Sequence, residues 1–186
     1  MSKRNYTDQR EQIMYDWYEK GVHEFNKNND FEAFIYLWIS WVVSCKIHLA
    51  NNKPYNSIVQ KDLDDRRIIL EWSKNNSYHV KECIDKKMND LIYLGKRVGS
   101  YYGNPIVDSS KNLQTNFTRF RDFLINKHSY ENDIDLAVDF TELLNKIRNN
   151  LFHGNKSYDN QDDKSLLNAI LPVLKDITQI AVKTIH

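Results

Sequence analysis

At 186 residues the chain is long enough to bury a core of its own, and 26 Lys and Arg against 25 Asp and Glu leave a formal net charge of only +1. So small a charge excludes a global electrostatic field as the means of holding nucleic acid, which would require a local basic patch. The two cysteines, Cys45 and Cys83, show no CxxC spacing and exclude a disulfide framework; they read as buried thiols of a reducing cytosol.

The first residues, Met1 to Asp8, carry charge with no apolar run behind it, unlike a signal peptide. Only five Gly and three Pro occur, and alternation of apolar and polar residues is nowhere sustained, so the periods are helical and the class is all-α. A first helix is predicted from about Thr7 to Asn26, with Ile13, Trp17, Val22 and Phe25 among its apolar positions. Asp30 is the expected N-cap of a second, on which Phe31, Phe34, Ile35, Leu37, Trp38, Trp41, Val42 and Cys45 wrap most of the circumference, as in a central helix. Its most apolar run, Phe34 to Cys45, is twelve residues bracketed by Glu32 and Lys46, too short for a membrane span.

A third helix is expected from near Asp62 to before Asn75, and Ser77 is the expected cap of a fourth reaching about Val98, striped by Val80, Cys83, Ile84, Met88, Leu91, Ile92 and Leu94. Residues 99–112, with Gly103, Pro105 and Ser109-Ser110, read as an irregular loop; its Tyr101 and Tyr102 either anchor it on the core or stack on bases. A fifth helix covers roughly Leu113 to Asn126. The sixth runs from near Asp133 toward Asn150, with Leu136, Phe140, Leu143, Leu144, Ile147 and Leu151 on one stripe. After a polar stretch, Asn155 to Asp163, comes a last helix that Pro172 either kinks or opens. The expectation is one helical bundle of six to seven helices over 1–186.

The chemistry concentrates where the sixth helix closes, in Arg148-Asn149-Asn150-Leu151-Phe152-His153-Gly154. Arginine is a permanent cation that forks onto phosphate oxygens, and histidine exchanges protons near neutral pH. Together they suit phosphodiester cleavage without a metal, since RNA supplies its own nucleophile in the 2′-hydroxyl. A second pair, Arg121 and His128, is less apt: Asp122 follows Arg121 and competes with phosphate for the guanidinium, whereas Asn149 follows Arg148 and adds no negative charge. The competing structural reading has Arg148 in a surface ion pair and His153 on a helix dipole. Glu142 and Lys146, four apart, form an ordinary stabilising pair, and Lys146 is near enough to Arg148 to assist an RNA backbone.

His23, His48 and His79 lack metal-site spacing, and neither a phosphate-cradling glycine loop nor a Gly-x-Ser-x-Gly elbow occurs, so no metal or cofactor is expected. The basic pairs Arg66-Arg67, Lys86-Lys87 and Lys96-Arg97, with Arg119 and Arg121, read as solvated helix faces that become RNA contacts if they cluster near His153.

The order Arg148, polar Asn149 and His153, with four residues between Arg and His, resembles the signature of the HEPN superfamily. The aromatic run Phe31 to Trp41, the polar loop after Gly154 and the final helix with Leu171-Pro172-Val173-Leu174 are similar to that pattern as well. The chain departs from it late in the second helix, where Val42-Val43-Ser44 replaces an expected Asn. The resemblance implies an all-helical, cytoplasmic, metal-independent ribonuclease of antiphage defence or a toxin–antitoxin system. It also implies a homodimer whose two motifs line one cleft. Two copies of His153, one neutral and one protonated, would then take the 2′-hydroxyl proton and protonate the departing 5′-oxygen. Arg148 would stabilise charge on the nonbridging oxygens, and Asn149 would orient phosphate or imidazole. The other readings are a catalytically silent module binding RNA or a nucleotide, a dimeric scaffold, or a toxin blocked by a partner antitoxin.

Overall fold

The computed structural model of the chain describes residues 9–51, 64–92, 119–125, 129–152 and 161–185. All regular structure among them is helical: α1 (Gln9–Asn26), α2 (Asp30–Asn51), α3 (Asp65–Asn75), α4 (Ser77–Lys86), α5 (88–92), α6 (119–125), α7 (Asp133–Phe152) and α8 (Gln161–Lys183). The all-α class follows from the helical periods, as expected. The loop at 99–112 with Tyr101 and Tyr102, the pair Lys96-Arg97, and both motif histidines, His128 and His153, lie outside the described residues. The chain divides into two compact units, one made of Met1–Trp72 with Leu174–His186 and the other of Ser73–Val173.

In the first unit α1 and α2 form an antiparallel pair. Three residues join them, and the left-handed turn is taken by Asn28 at φ 60°. The Asn28 amide returns to the Phe25 carbonyl and the Asn29 amide to the Glu24 carbonyl, so two of the last carbonyls of α1 are satisfied. The Asn29 carbonyl in turn accepts the Ala33 amide, so α2 is entered through Asn29, one residue ahead of the cap expected at Asp30. Gly21 sits against Leu37: a methyl group there would lie 2.8 Å from Leu37 Cγ and 3.0 Å from its backbone nitrogen. That close approach sets the rotation of α1, which buries Glu11, Met14, Tyr15 and Gly21 and leaves Trp17, Val22 and Phe25 half-buried and Ile13 exposed.

α2 is the most apolar helix, with Trp41 edge-on to both Trp38 and Trp72 and Phe34 stacked on Trp38. The indole nitrogens of Trp38 and Trp41 find no hydrogen-bond partner among the described residues, so ring packing prevails over polar satisfaction at this point. Two stretches, Asp30–Ala50 and Lys164–Lys183, are long and apolar enough by length and composition to cross a membrane, a longer run in α2 than the twelve residues first singled out. In each, 61% of the 18-residue window is buried inside the protein, and Ser40 and Ser44 lie buried within α2, Ser40 Oγ donating to the Met14 carbonyl.

The second unit is organised on α7. Leu136, Ala137, Phe140, Leu143, Leu144, Ile147 and Leu151 are all buried, the stripe the period requires. Its start is capped by Asn132, whose Oδ1 accepts the Asp135 amide at 2.9 Å. The fourth predicted helix is not continuous. α4 is flanked by Asn76 rather than capped by Ser77, no side-chain cap bond forms, and the helix stops at Lys87, whose amide turns back to the Ile84 carbonyl before α5 begins. α4 packs on α7, and Thr141 of α7 donates to Ser73 Oγ at 2.8 Å. Pro172 lies inside α8 rather than in its first turn, leaving the Asn168 carbonyl without a helical donor.

Candidate functional site

The last two turns of α7 carry Lys146, Arg148, Asn149 and Phe152 and are anchored by the buried Ile147 and Leu151. Arg148 and Phe152 are four residues apart and share a face, and the guanidinium carbon stands 4.6 Å from the centre of the Phe152 ring. Arg148 Nη1 donates to Asn149 Oδ1 at 3.0 Å. With that oxygen engaged, the Asn149 amide group is what it can offer an anion. Arg148 Nε is buried and has no hydrogen-bond partner among the described residues, and no carboxylate among them pairs with this arginine. The surface ion pair weighed as its alternative role does not form among the described residues.

Lys146 is half-buried on α7. Two residues from Arg148, it leaves the helix about 200° away around the axis, so the two cations flank the buried stripe on opposite sides. Helix geometry therefore does not bring them together. The structure describes Arg148, Asn149 and Lys146 of the expected set, and His153 falls outside it.

The two preceding arginines behave differently. Arg121 Nε and Nη2 both contact Asp122 Oδ1, at 3.2 and 2.9 Å, the competition foreseen from their adjacency. Arg119, read from sequence as part of a solvated face, is committed instead to a buried carboxylate. Its Nε and Nη2 donate to the two oxygens of Asp139 at 2.5 and 2.7 Å, and Tyr130 Oη donates to Asp139 Oδ2 at 2.8 Å. The Asp139 side chain is 0% exposed, so its charge is held wholly by these partners. Burial, then the bond to Asp139, pushes the Tyr130 hydroxyl well above its ordinary range, and the Asp139 bond likewise raises the Arg119 guanidinium. Tyr130 stays protonated and donating, and Arg119 stays charged, so the cluster is a structural clamp between α6 and α7 and not a proton relay. Sequence reading missed it. The available signal was the placement of Asp139 beside the apolar stripe, one residue before Phe140 and three after Leu136.

His23 and His79 sit by Glu24 and Glu82 at 3.9 and 3.5 Å, and Cys45 and Cys83 are buried thiols, Cys45 pushed well up by burial. His48 is held between α2 and α8, its Nε2–H donating to the Ala181 carbonyl and to Thr184 Oγ1 at 3.2 and 2.8 Å. No group of three or more His, Cys, Asp or Glu among the described residues could hold a metal ion. No family model, curated protein or solved structure matches the chain, so the site stands on its own residues.

Proposed function

We propose that the protein is a metal-independent endoribonuclease of the HEPN type, cleaving RNA by attack of its own 2′-hydroxyl. It would work as a homodimer in antiphage defence or in a toxin–antitoxin system. The observation that carries this reading is Arg148: an arginine at the end of a well-anchored helix, hydrogen-bonded to a neutral amide and neutralised by no described carboxylate. A guanidinium kept uncommitted in this way is available to nonbridging phosphate oxygens, where charge grows as the 2′-oxygen attacks. The two arginines that precede it in the chain, Arg119 and Arg121, are both spoken for by aspartates.

In the proposed reaction the 2′-oxygen forms a bond to phosphorus while the bond to the 5′-oxygen breaks. One His153 accepts the 2′-hydroxyl proton and the second protonates the leaving oxygen, giving a 2′,3′-cyclic phosphate and a 5′-hydroxyl. Arg148 offsets the phosphorane charge, and the Asn149 amide orients the phosphate. The test is digestion of total RNA in excess EDTA by wild type, Arg148→Ala and His153→Ala, with chemistry on the fragment ends. Cleavage by wild type alone, leaving cyclic phosphates, is expected. A divalent-metal requirement, or full activity in His153→Ala, overturns the reading. RNA affinity without cleavage moves the protein to the silent binding module.

A further inference from the structure

Resting on the ribonuclease reading, we infer that Phe152 is a stacking platform for an unpaired RNA base, selecting single-stranded substrate at the phosphate held by Arg148. Phe152 is the last residue of α7 and 49% exposed, while the other described phenylalanines of its unit are engaged in packing: Phe120 against Phe140, both buried, and Phe123 edge-on to Tyr130. A single exposed apolar side chain is ordinary on a protein surface, so what marks Phe152 is the group beside it. Among the exposed large apolar residues that are described, only Tyr78 is also aromatic, and it packs edge-on to His79, which stands by Glu82. Phe152 is where an exposed ring meets a cation with no described carboxylate.

The chemistry of that pair fits one nucleotide. The guanidinium carbon stands 4.6 Å from the centre of the ring and covers one of its faces, so a base would take the other. Bases stack on aromatic rings and on guanidinium planes alike, because every base has a π-face. A base on Phe152 would extend the stack that Arg148 has already begun, with the outer guanidinium N–H groups left for phosphate. Paired bases in an A-form helix cannot offer a face in this way, so the site discriminates strand state more than sequence.

The test is binding of a fluorescent, short 2′-O-methyl RNA, which cannot be cleaved, to wild type, Phe152→Ala, Phe152→Leu and Phe152→Trp, alongside the same RNA as a duplex. Phe152→Ala and Phe152→Leu are expected to weaken single-strand binding about tenfold or more, Phe152→Trp to retain it, and the duplex to be insensitive to all three. Phe152→Leu keeps an apolar contact and loses only the π-face, which separates stacking from simple burial. Wild-type affinity in Phe152→Ala overturns the inference, as does a Phe152→Ala variant whose loss of binding tracks a loss of dimer in sedimentation. RNA cleavage by wild type with no dependence on Phe152 defeats this inference alone. Binding that depends on Phe152 in a protein that never cleaves supports it and defeats the nuclease reading instead.

Discussion

Arg119 and Arg148 belong to the same compact unit and differ in what surrounds them. Arg119 closes a fork on Asp139, a carboxylate fully removed from water, with Tyr130 as a second donor. Arg148 has an amide, an aromatic ring and a buried, unpartnered Nε. The first arrangement uses a charge pair to hold two helices together. The second leaves a cation without a carboxylate, which stabilises the fold less than the clamp and suits a site for an incoming anion. Residue type does not separate the two arginines; the presence of a committed carboxylate does.

The sharpest way to break that comparison is to remove each partner and read both activity and stability. Arg148→Ala is expected to lower kcat/KM for RNA about 10²- to 10³-fold, as loss of one preorganised donor at a developing oxyanion does. Its unfolding free energy in urea should change by less than about 1 kcal/mol, since the contact with Phe152 and the local bond to Asn149 are what is lost. Arg148→Lys should recover little activity, because an ammonium lacks the planar fork.

Asp139→Ala should show the opposite signature. It strands Arg119 and the Tyr130 hydroxyl, and breaking a buried pair commonly costs about 3–5 kcal/mol. The Arg119 side chain is 48% exposed and can turn to water, so a loss nearer about 3 kcal/mol in chemical denaturation is expected, with cleavage per folded molecule unchanged. A variant that lost activity without losing stability would assign the clamp to the site and erase the distinction drawn between the two arginines.

The other unit provides smaller effects as references. Gly21→Ala gains up to about 1 kcal/mol of helix propensity but drives a methyl group into Leu37, so a net loss of about 1–2 kcal/mol is expected in thermal or urea unfolding. The smallest effect should be that of His48. Burial lowers its pKa below the ordinary 6.5, against the opposing bond to the Ala181 carbonyl. The unfolded chain then binds the proton more tightly, so the stabilising contribution is full above pH 6.5 and is lost as pH falls through that value toward the folded pKa. A modest drop in Tm over that window, absent in His48→Gln, is the measurement that checks it.

Much of the architecture was legible in the chain because periodicity is local. The α7 stripe from Leu136 to Leu151, the aromatic density of α2 and the wholly helical class all follow from residues within a few turns of one another. The contrast between Arg121 and Arg148 was equally legible, because Asp122 and Asn149 are chain neighbours and a neighbour's charge acts whatever the fold. Helix ends were less so: Ser77 yields to Asn76 and the fourth helix stops at Lys87, where the choice between continuing and turning back is small in energy.

What only the tertiary structure decided depends on residues far apart in the chain. The rotation of α1, which buries Met14 and Tyr15 and turns Ile13 outward, is set by the approach of Gly21 to Leu37 on another helix. The reassignment of Arg119 from a solvated face to a buried clamp needed Asp139, twenty residues on, and Tyr130 in between. The exposure of Phe152, on a helix whose other aromatic, Phe140, is buried, is likewise a property of packing. Hydrophobic period and adjacent charge are written into short windows of sequence, whereas desolvation and ion pairing depend on which distant groups share a site, and that information exists only once the chain has folded.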